Sequence, residues 1–435
     1  VTNNNQSNIE VSIGLSRKWD AREAGREVAK TAIKNLKKPP SFVLLFSTIH
    51  YKNHGGFQEF LDGVWEVLPK GTPLIGGTIA YFMNNSGCYA RGATALAVSY
   101  LNMDISVGLG KHTKLNPKNA AKICSNFIRS GLKNSKYSNK LLINIISAPT
   151  VPKLPMLGRN NFIKSRFFGW LASTIGVRLF PFFGHGLGKE DDLIDELTKL
   201  LPDYYFIGGS SVDSGKYLNN YQFIEDQVFT NSVVALGCKI DKPFFMKSIL
   251  GIHETDKTFN ISKDKYDSRI IKEIDNKPAK EQFLKLLGIV EEQFENLDVF
   301  YSRTSNYFPI TFEEGKSYTT GTAGFFGNDI ALGYKARGKK ARILSITGKE
   351  IINAIDSIFY DQTNNKFPFV FMSSSFIFLN TLGDNSFLLK EKLDDYLREI
   401  PYLVIFPTAE NAGTPNNHAV TRVYSFNAFS IKPNY

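Results

Sequence analysis

Tyr205-Phe206-Ile207-Gly208-Gly209-Ser210-Ser211 has a near copy earlier in the chain, Pro73-Leu74-Ile75-Gly76-Gly77-Thr78. Each is a short apolar run of the kind that forms a buried strand, and each ends on two glycines and a hydroxyl residue. A backbone turning sharply at the glycines would present free N–H groups and a side-chain oxygen, a seat for a small polar or anionic group. The surroundings repeat as well. Phe42 to Phe46 reads as a strand, followed by a helix near 57–68, Pro69 and the first glycine run. Leu141 to Ile146, a helix near 191–201, Pro202 and the second run follow the same order. A more divergent third copy comprises a strand at 368–372, a helix near 387–399, Pro401, a strand at 402–406, a loop at 407–418 and a strand at 420–431. Such long intervals predict an α/β fold of duplicated strand-helix-strand units, forming two lobes with mixed sheets, and not a solenoid.

With 435 residues, 43% of them hydrophobic, the chain can bury sizeable cores. Cys88, Cys124 and Cys238 are odd in number and widely spaced, which gives neither a disulfide framework nor a Cys-x-x-Cys metal site. Residues 1–8 read as a polar, disordered tail without a signal-peptide pattern. No uninterrupted apolar run reaches about 18 residues, so a soluble, cytoplasmic protein is expected. The net charge of +11 is local. Between Asp104 and Glu190 stand 14 Lys and Arg and no acid, whereas the remaining 38 basic residues face 41 acidic ones.

Asp20, with Glu23 three residues on, marks a helix start, and Ala21, Ala24, Gly25, Val28, Ala29 and Ala32 fall on one face of small residues suited to close packing on a sheet. His50 and His54 share a glycine-ended loop without a nearby Cys or carboxylate, so no metal is assigned to them. Gly184-His185-Gly186-Leu187-Gly188-Lys189 looks like a phosphate loop but fails in spacing, and Glu190, Asp191 and Asp192 replace the hydroxyl. Acids there suit a helix N-terminus, which makes the stretch a cap and hinge. The lysines at 111, 114, 118 and 122 follow a helical spacing that marks a solvated face. With no reading motif beside them, nucleic acid is not expected as a partner.

Gly14-Leu15-Ser16, the helix from Asp20, the strand to Phe46-Ser47 and Ile75-Gly76-Gly77-Thr78 resemble the N-terminal half of a FIST domain, a sensory module of intracellular signal transduction proteins. The strand from Ile271, the turn Asp275-Asn276-Lys277-Pro278-Ala279 and a helix to Leu287-Gly288 resemble the opening of its C-terminal half, with Asn276 where the family usually has Gly. Tyr307-Phe308-Pro309, the helix after Gly348-Lys349-Glu350, and Thr408-Ala409-Glu410 continue the likeness. Ser373-Ser374-Ser375 stands where a Ser-Cys pair is frequent, and Ala409 precedes Glu410 in place of Gly.

The resemblance implies an N-terminal-like domain over 9–247, carrying an insertion at 151–189, and a C-terminal-like domain over 248–432. It implies a sensor that binds an amino-acid-like or other small polar ligand near the C-terminal ends of its strands and signals through a separate protein. The ligand residues on this reading are Gly76, Gly77, Thr78, Gly208, Gly209, Ser210, Ser211, Glu410, Asn411 and Asn417, the glycine loops donating N–H groups and Glu410 accepting from an amine. No catalytic residue, metal or cofactor is assigned. Two alternatives remain: a haem-binding gas sensor using His185 or His418, and a hydrolase or transferase in which Ser210, Ser211 and Asp213 converge with one of those histidines.

The insertion is aromatic and basic, with Phe162, Phe167, Phe168, Trp170, Phe180, Phe182 and Phe183 among Lys164, Arg166 and Arg178. It reads as a lid packed over the sheet with its cationic stems reaching water. Contact with a membrane surface or an acidic partner is the other role for 151–189.

Overall fold

Phe42–Ser47, Asn139–Ser147 and Val370–Ser374 are apolar on both faces because each is a central strand covered on both sides. The computed structural model describes residues 9–152, 162–265, 268–290, 307–313, 318–362, 366–415 and 417–432. The expected tail at 1–8 lies outside the described residues, as do Lys153 and Arg159 of the basic block and Asn416.

Each central strand pairs in parallel with the strand that follows a helix: Phe42–Ser47 with Leu74–Thr78, Asn139–Ser147 with Tyr205–Ser211, and Val370–Ser374 with Tyr402–Phe406. On its other side runs an antiparallel strand, Ala93–Ser99, Ser232–Ile240 or Ser425–Ile431. The sheet edge beyond that is Glu10–Ser16, Met103–Lys111 or Phe244–Leu250. The sheets are mixed and the class is α/β, as the sequence implies.

The hairpins tie the three sheets together. Tyr81–Asn84 and Gly87–Tyr89 leave the first unit and extend the third sheet, against Tyr402–Phe406. Gln222–Ile224 and Gln227–Phe229 leave the second unit and extend the first sheet, against Leu74–Thr78. Glu410–Thr414 and Asn417–Arg422 leave the third and extend the second, against Tyr205–Ser211. The exchange is cyclic, so the strands of 9–247 and of 248–432 are shared between sheets, and residue 247 lies inside the strand Phe244–Leu250.

The inner faces of the three sheets meet in one core, to which the first contributes Leu44, Phe46 and Ile75, the second Ile143, Ile145 and Ile207, and the third Phe371, Leu403 and Ile405. Outer faces are covered by helices. Ala21–Ile33 starts at Asp20, whose carboxylate accepts from Glu23 N at 2.9 Å, and buries the small face that its sequence predicts.

Two segments break the regular plan. Between Phe244–Leu250 and the helix Gly348–Phe359 lies an additional sheet running from His253–Lys265 to Lys340–Ser345, with the helix Ala279–Leu287 packed on it. Its Asp275-Asn276 turn has φ of 49° and 60°, a conformation that Asn tolerates well. The second segment is the aromatic insertion, whose strand Phe162–Ile163 pairs in parallel with Phe325 and Phe326 of that sheet.

The helix Glu190–Leu200 fastens the extra sheet from below. Arg269, fully buried, reaches Asp191 at 2.6 Å and Asp192 at 2.7 Å; Lys335 pairs with Asp192, and Arg337 reaches Asp195 at 2.9 Å. The acids of the expected cap are thus anchors for another part of the chain. Among the described residues no helix is long and apolar enough to cross a membrane.

Candidate functional site

Gly76-Gly77 and Gly208-Gly209 lie inside strands, a correction to the expectation of sharp turns with free N–H groups. The exchanged hairpins continue the ladder there: Gly77 faces Gln222, Gly208 faces Asn411 and Gly209 faces Glu410. Thr78 N donates to Tyr221 O and Ser210 N to Ala409 O, each at 2.9 Å. Glycine is required for closeness and not for turning. A Cβ at Gly76 would sit 1.6 Å from Leu45 O, and one at Gly208 2.0 Å from Asn144 O.

The hydroxyl and amide candidates are also engaged. Thr78 Oγ1 accepts from Tyr221 N at 3.0 Å, and Ser211 Oγ donates to Ile146 O at 3.1 Å while accepting from Gln222 Nε2 at 2.6 Å. Asn411 and Asn144 exchange two buried amide bonds at 2.9 Å. Asn417 is exposed on the outer strand of its hairpin.

A cavity of about 820 Å³ lies beside these residues, at the C-terminal ends of strands of the second and third units, where loops converge. The regular frame supplies Thr150, the loop 214–218, Phe376, Thr408 and Tyr424. The insertion supplies Ile163, Ala172, Val177 and Phe180; the extra sheet supplies Thr322, Ala323, Phe326 and Tyr334. None of the ten candidate residues lines it.

Asp213 shapes the loop 214–218. Its carboxylate accepts from the backbone N–H groups of Lys216, Tyr217, Leu218 and Asn219 at 2.7 to 3.3 Å, holding Tyr217 at a φ of 54°. That carboxylate is a loop clamp. His418 is exposed on the hairpin, and His185 Nδ1 lies 3.2 Å from Thr150 Oγ1, so the expected convergence of Ser210, Ser211 and Asp213 with a histidine is not assembled. Neither histidine lines the cavity, which therefore does not fit haem held by either one.

Two carboxyls are buried behind the wall. Glu190 is 1% exposed, and neither of its oxygens has a partner within hydrogen-bond geometry, although Ser210 and Lys114 lie near enough to favour its charge. Burial and the neighbouring Asp191 outweigh them and push its pKa up to about 7. Glu410 receives Ser425 N and Oγ at 3.1 Å on one oxygen and has no partner on the other. Burial raises its pKa well above the usual carboxylate range against the opposing hydrogen bonds from Ser425 and the charge of Arg422.

Lys114 corrects the reading of a solvated lysine face. Lys111, Lys118 and Lys122 are exposed, but Lys114 is 1% exposed and donates to Ser147 Oγ, Thr150 Oγ1 and Gly184 O at 3.0 to 3.3 Å. Burial lowers its pKa to about 8. Burial, with Glu190 and Asp191 adding to it at Tyr334, likewise keeps the phenols of Tyr217, Tyr334 and Tyr424 protonated. The cavity is thus apolar with hydroxyl donors in its wall. No group of three or more His, Cys, Asp or Glu side chains suited to a metal occurs among the described residues.

Residues 41–277, more than half of the chain, match the FIST N domain. The chain belongs to the FIST family. FIST domains are sensory domains associated with small-ligand binding in signalling, and this FIST protein has a cavity where its regular sheets meet its two irregular segments. Among solved structures, a cyanuric acid hydrolase from A. caulinodans is similar at 8% identity and a TM-score of 0.26, over 53% of this chain and 71% of that one, a level that bears on no chemistry. No curated protein matches. Sequence reasoning missed Lys114, Glu190, Tyr217, Tyr334 and Tyr424. The one available signal was that Glu190 directly follows the insertion, at the end of a chain segment without acids.

Proposed function

We propose that this FIST protein senses a small molecule with an apolar body and an acceptor oxygen, bound in the cavity between the frame, the insertion and the extra sheet. The observation that carries this is a largely apolar cavity lined by three protonated tyrosines and by no carboxylate among its lining residues, so a carbonyl or carboxylate meets phenol donors while an ammonium meets only neutral oxygens and ring faces. Lys216 at the rim adds a cation. An amino-acid-like ligand is disfavoured, because its amine would lack an ionised carboxylate among the lining residues. The walls come from three separate parts of the chain, so a ligand touching all of them favours one arrangement of those parts and passes the signal to a separate protein.

A thermal-shift and calorimetric screen of aromatic and medium-chain carboxylic acids against amino acids and polyamines tests the reading. A ligand at 100 times its dissociation constant adds about 2.7 kcal/mol to the native state. Shifts confined to the acids, and lost in Ala172→Phe, which fills the cavity, support it. Amines as the sole hits, or an unchanged response in Ala172→Phe, overturn it.

A further inference from the structure

The chain is helical from 166 to 183, passing through an α-helical start at Arg166–Leu171, a π turn at Ala172–Gly176 and a 3-10 end at Phe180–Phe183. Its pattern is the reverse of a globular surface helix. Gly169, Ser173, Gly176 and Val177 face inward, while Phe167, Phe168, Trp170, Ile175, Phe182 and Phe183 are 41% to 76% exposed. The inward face is already closely packed. A Cβ at Gly169 would lie 2.3 Å from Gly327 N, and Ser173 Oγ bonds Asp329 at 2.7 Å. Single exposed apolar side chains need no explanation, but a contiguous aromatic face does.

Charge says what covers it. Lys164, Arg166 and Arg178 are exposed on the same segment. Lys114, bonded to Gly184 O, ties its end to the start of the helix Pro117–Gly131, which exposes Lys118, Lys122 and Arg129 beside Ile123 and Phe127. No acid occurs in the sequence between Asp104 and Glu190. A second copy of this face would set like charges against each other. An anionic bilayer surface complements both properties, taking the rings at the level of the headgroups and the cations at the phosphates.

We propose that the helix 166–183 seats this protein on the surface of an anionic lipid bilayer without crossing it. The test is flotation of the full chain with vesicles of phosphatidylcholine alone and of phosphatidylcholine with phosphatidylserine, at low and high salt. Binding to the anionic vesicles, weakened by salt, is expected. Arg178→Glu changes two charges at the surface, each worth ~5-fold, and weakens binding ~25-fold. Phe182→Ser/Phe183→Ser, whose rings are 68% and 76% exposed and whose loss leaves the fold intact, abolishes it. Three outcomes overturn the proposal: no binding to either vesicle, equal binding to neutral vesicles that Arg178→Glu leaves unchanged, or a dimer in light scattering that the double serine variant dissolves.

Discussion

Replacing Glu190 by Gln tests whether its carboxyl is held towards the neutral form, because the substitution keeps the shape and removes the proton. The folded protein raises this group from 4.5 to about 7. A carboxyl whose folded pKa lies above its unfolded value contributes stability that is fully present below pH 4.5 and lost as pH rises through about 7. Some two and a half pH units at about 1.4 kcal/mol each set the loss at no more than about 3.5 kcal/mol. Urea unfolding of both proteins, read by circular dichroism at steps from pH 4 to 8, gives the difference directly, and the contribution of Glu410 is common to both. The two stabilities should coincide near pH 4 and diverge above it, with Gln the more stable by up to about 3.5 kcal/mol at pH 8. Parallel profiles across that range would refute the assignment of a desolvated Glu190.

Arg269→Met removes the cation between Asp191 and Asp192 and leaves their charges buried, a loss of about 3–5 kcal/mol measurable by chemical denaturation. A change below about 1 kcal/mol would show that the extra sheet is not fastened through this contact. Gly208→Ala forces a Cβ to 2.0 Å from Asn144 O and should prevent accumulation of folded protein. A folded Gly208→Ala with weakened ligand binding would instead restore the glycine as a ligand donor.

Much of the frame was legible because its signals are local and recur. The strand, helix and Leu-Pro order around Leu74–Thr78 and Tyr205–Ser211 reflects strands buried on both faces and helices packed across them, and Asp20 and Asn276 mark their cap and turn by residue type alone. The hairpin exchange was not legible, because pairing between Tyr81–Asn84 and Tyr402–Phe406 is a contact across more than 300 residues with no local trace. The glycines misled for a related reason. Glycine marks either a turn or a close approach of backbones, and which one applies depends on the exchanged strand opposite.

The site follows a different logic from the frame. Each of the three sheets offers an equivalent set of strand ends, so the repeats that reveal the frame do not say which set is used. The cavity forms only where the second and third units carry additional chain, the insertion at 162–187 and the strands at 321–334, and those segments have no counterpart in the first unit. Lys114 and Glu190 look solvent-facing by sequence, one as part of a helical lysine spacing and the other as a first-turn acid, and both are buried because the additional chain covers them. In a fold built from repeats, the residues that break the repeat are therefore the better place to look for the site. The aromatic helix belongs to the same class: its small inward residues fit the extra sheet and not the frame, which leaves its rings outside the protein.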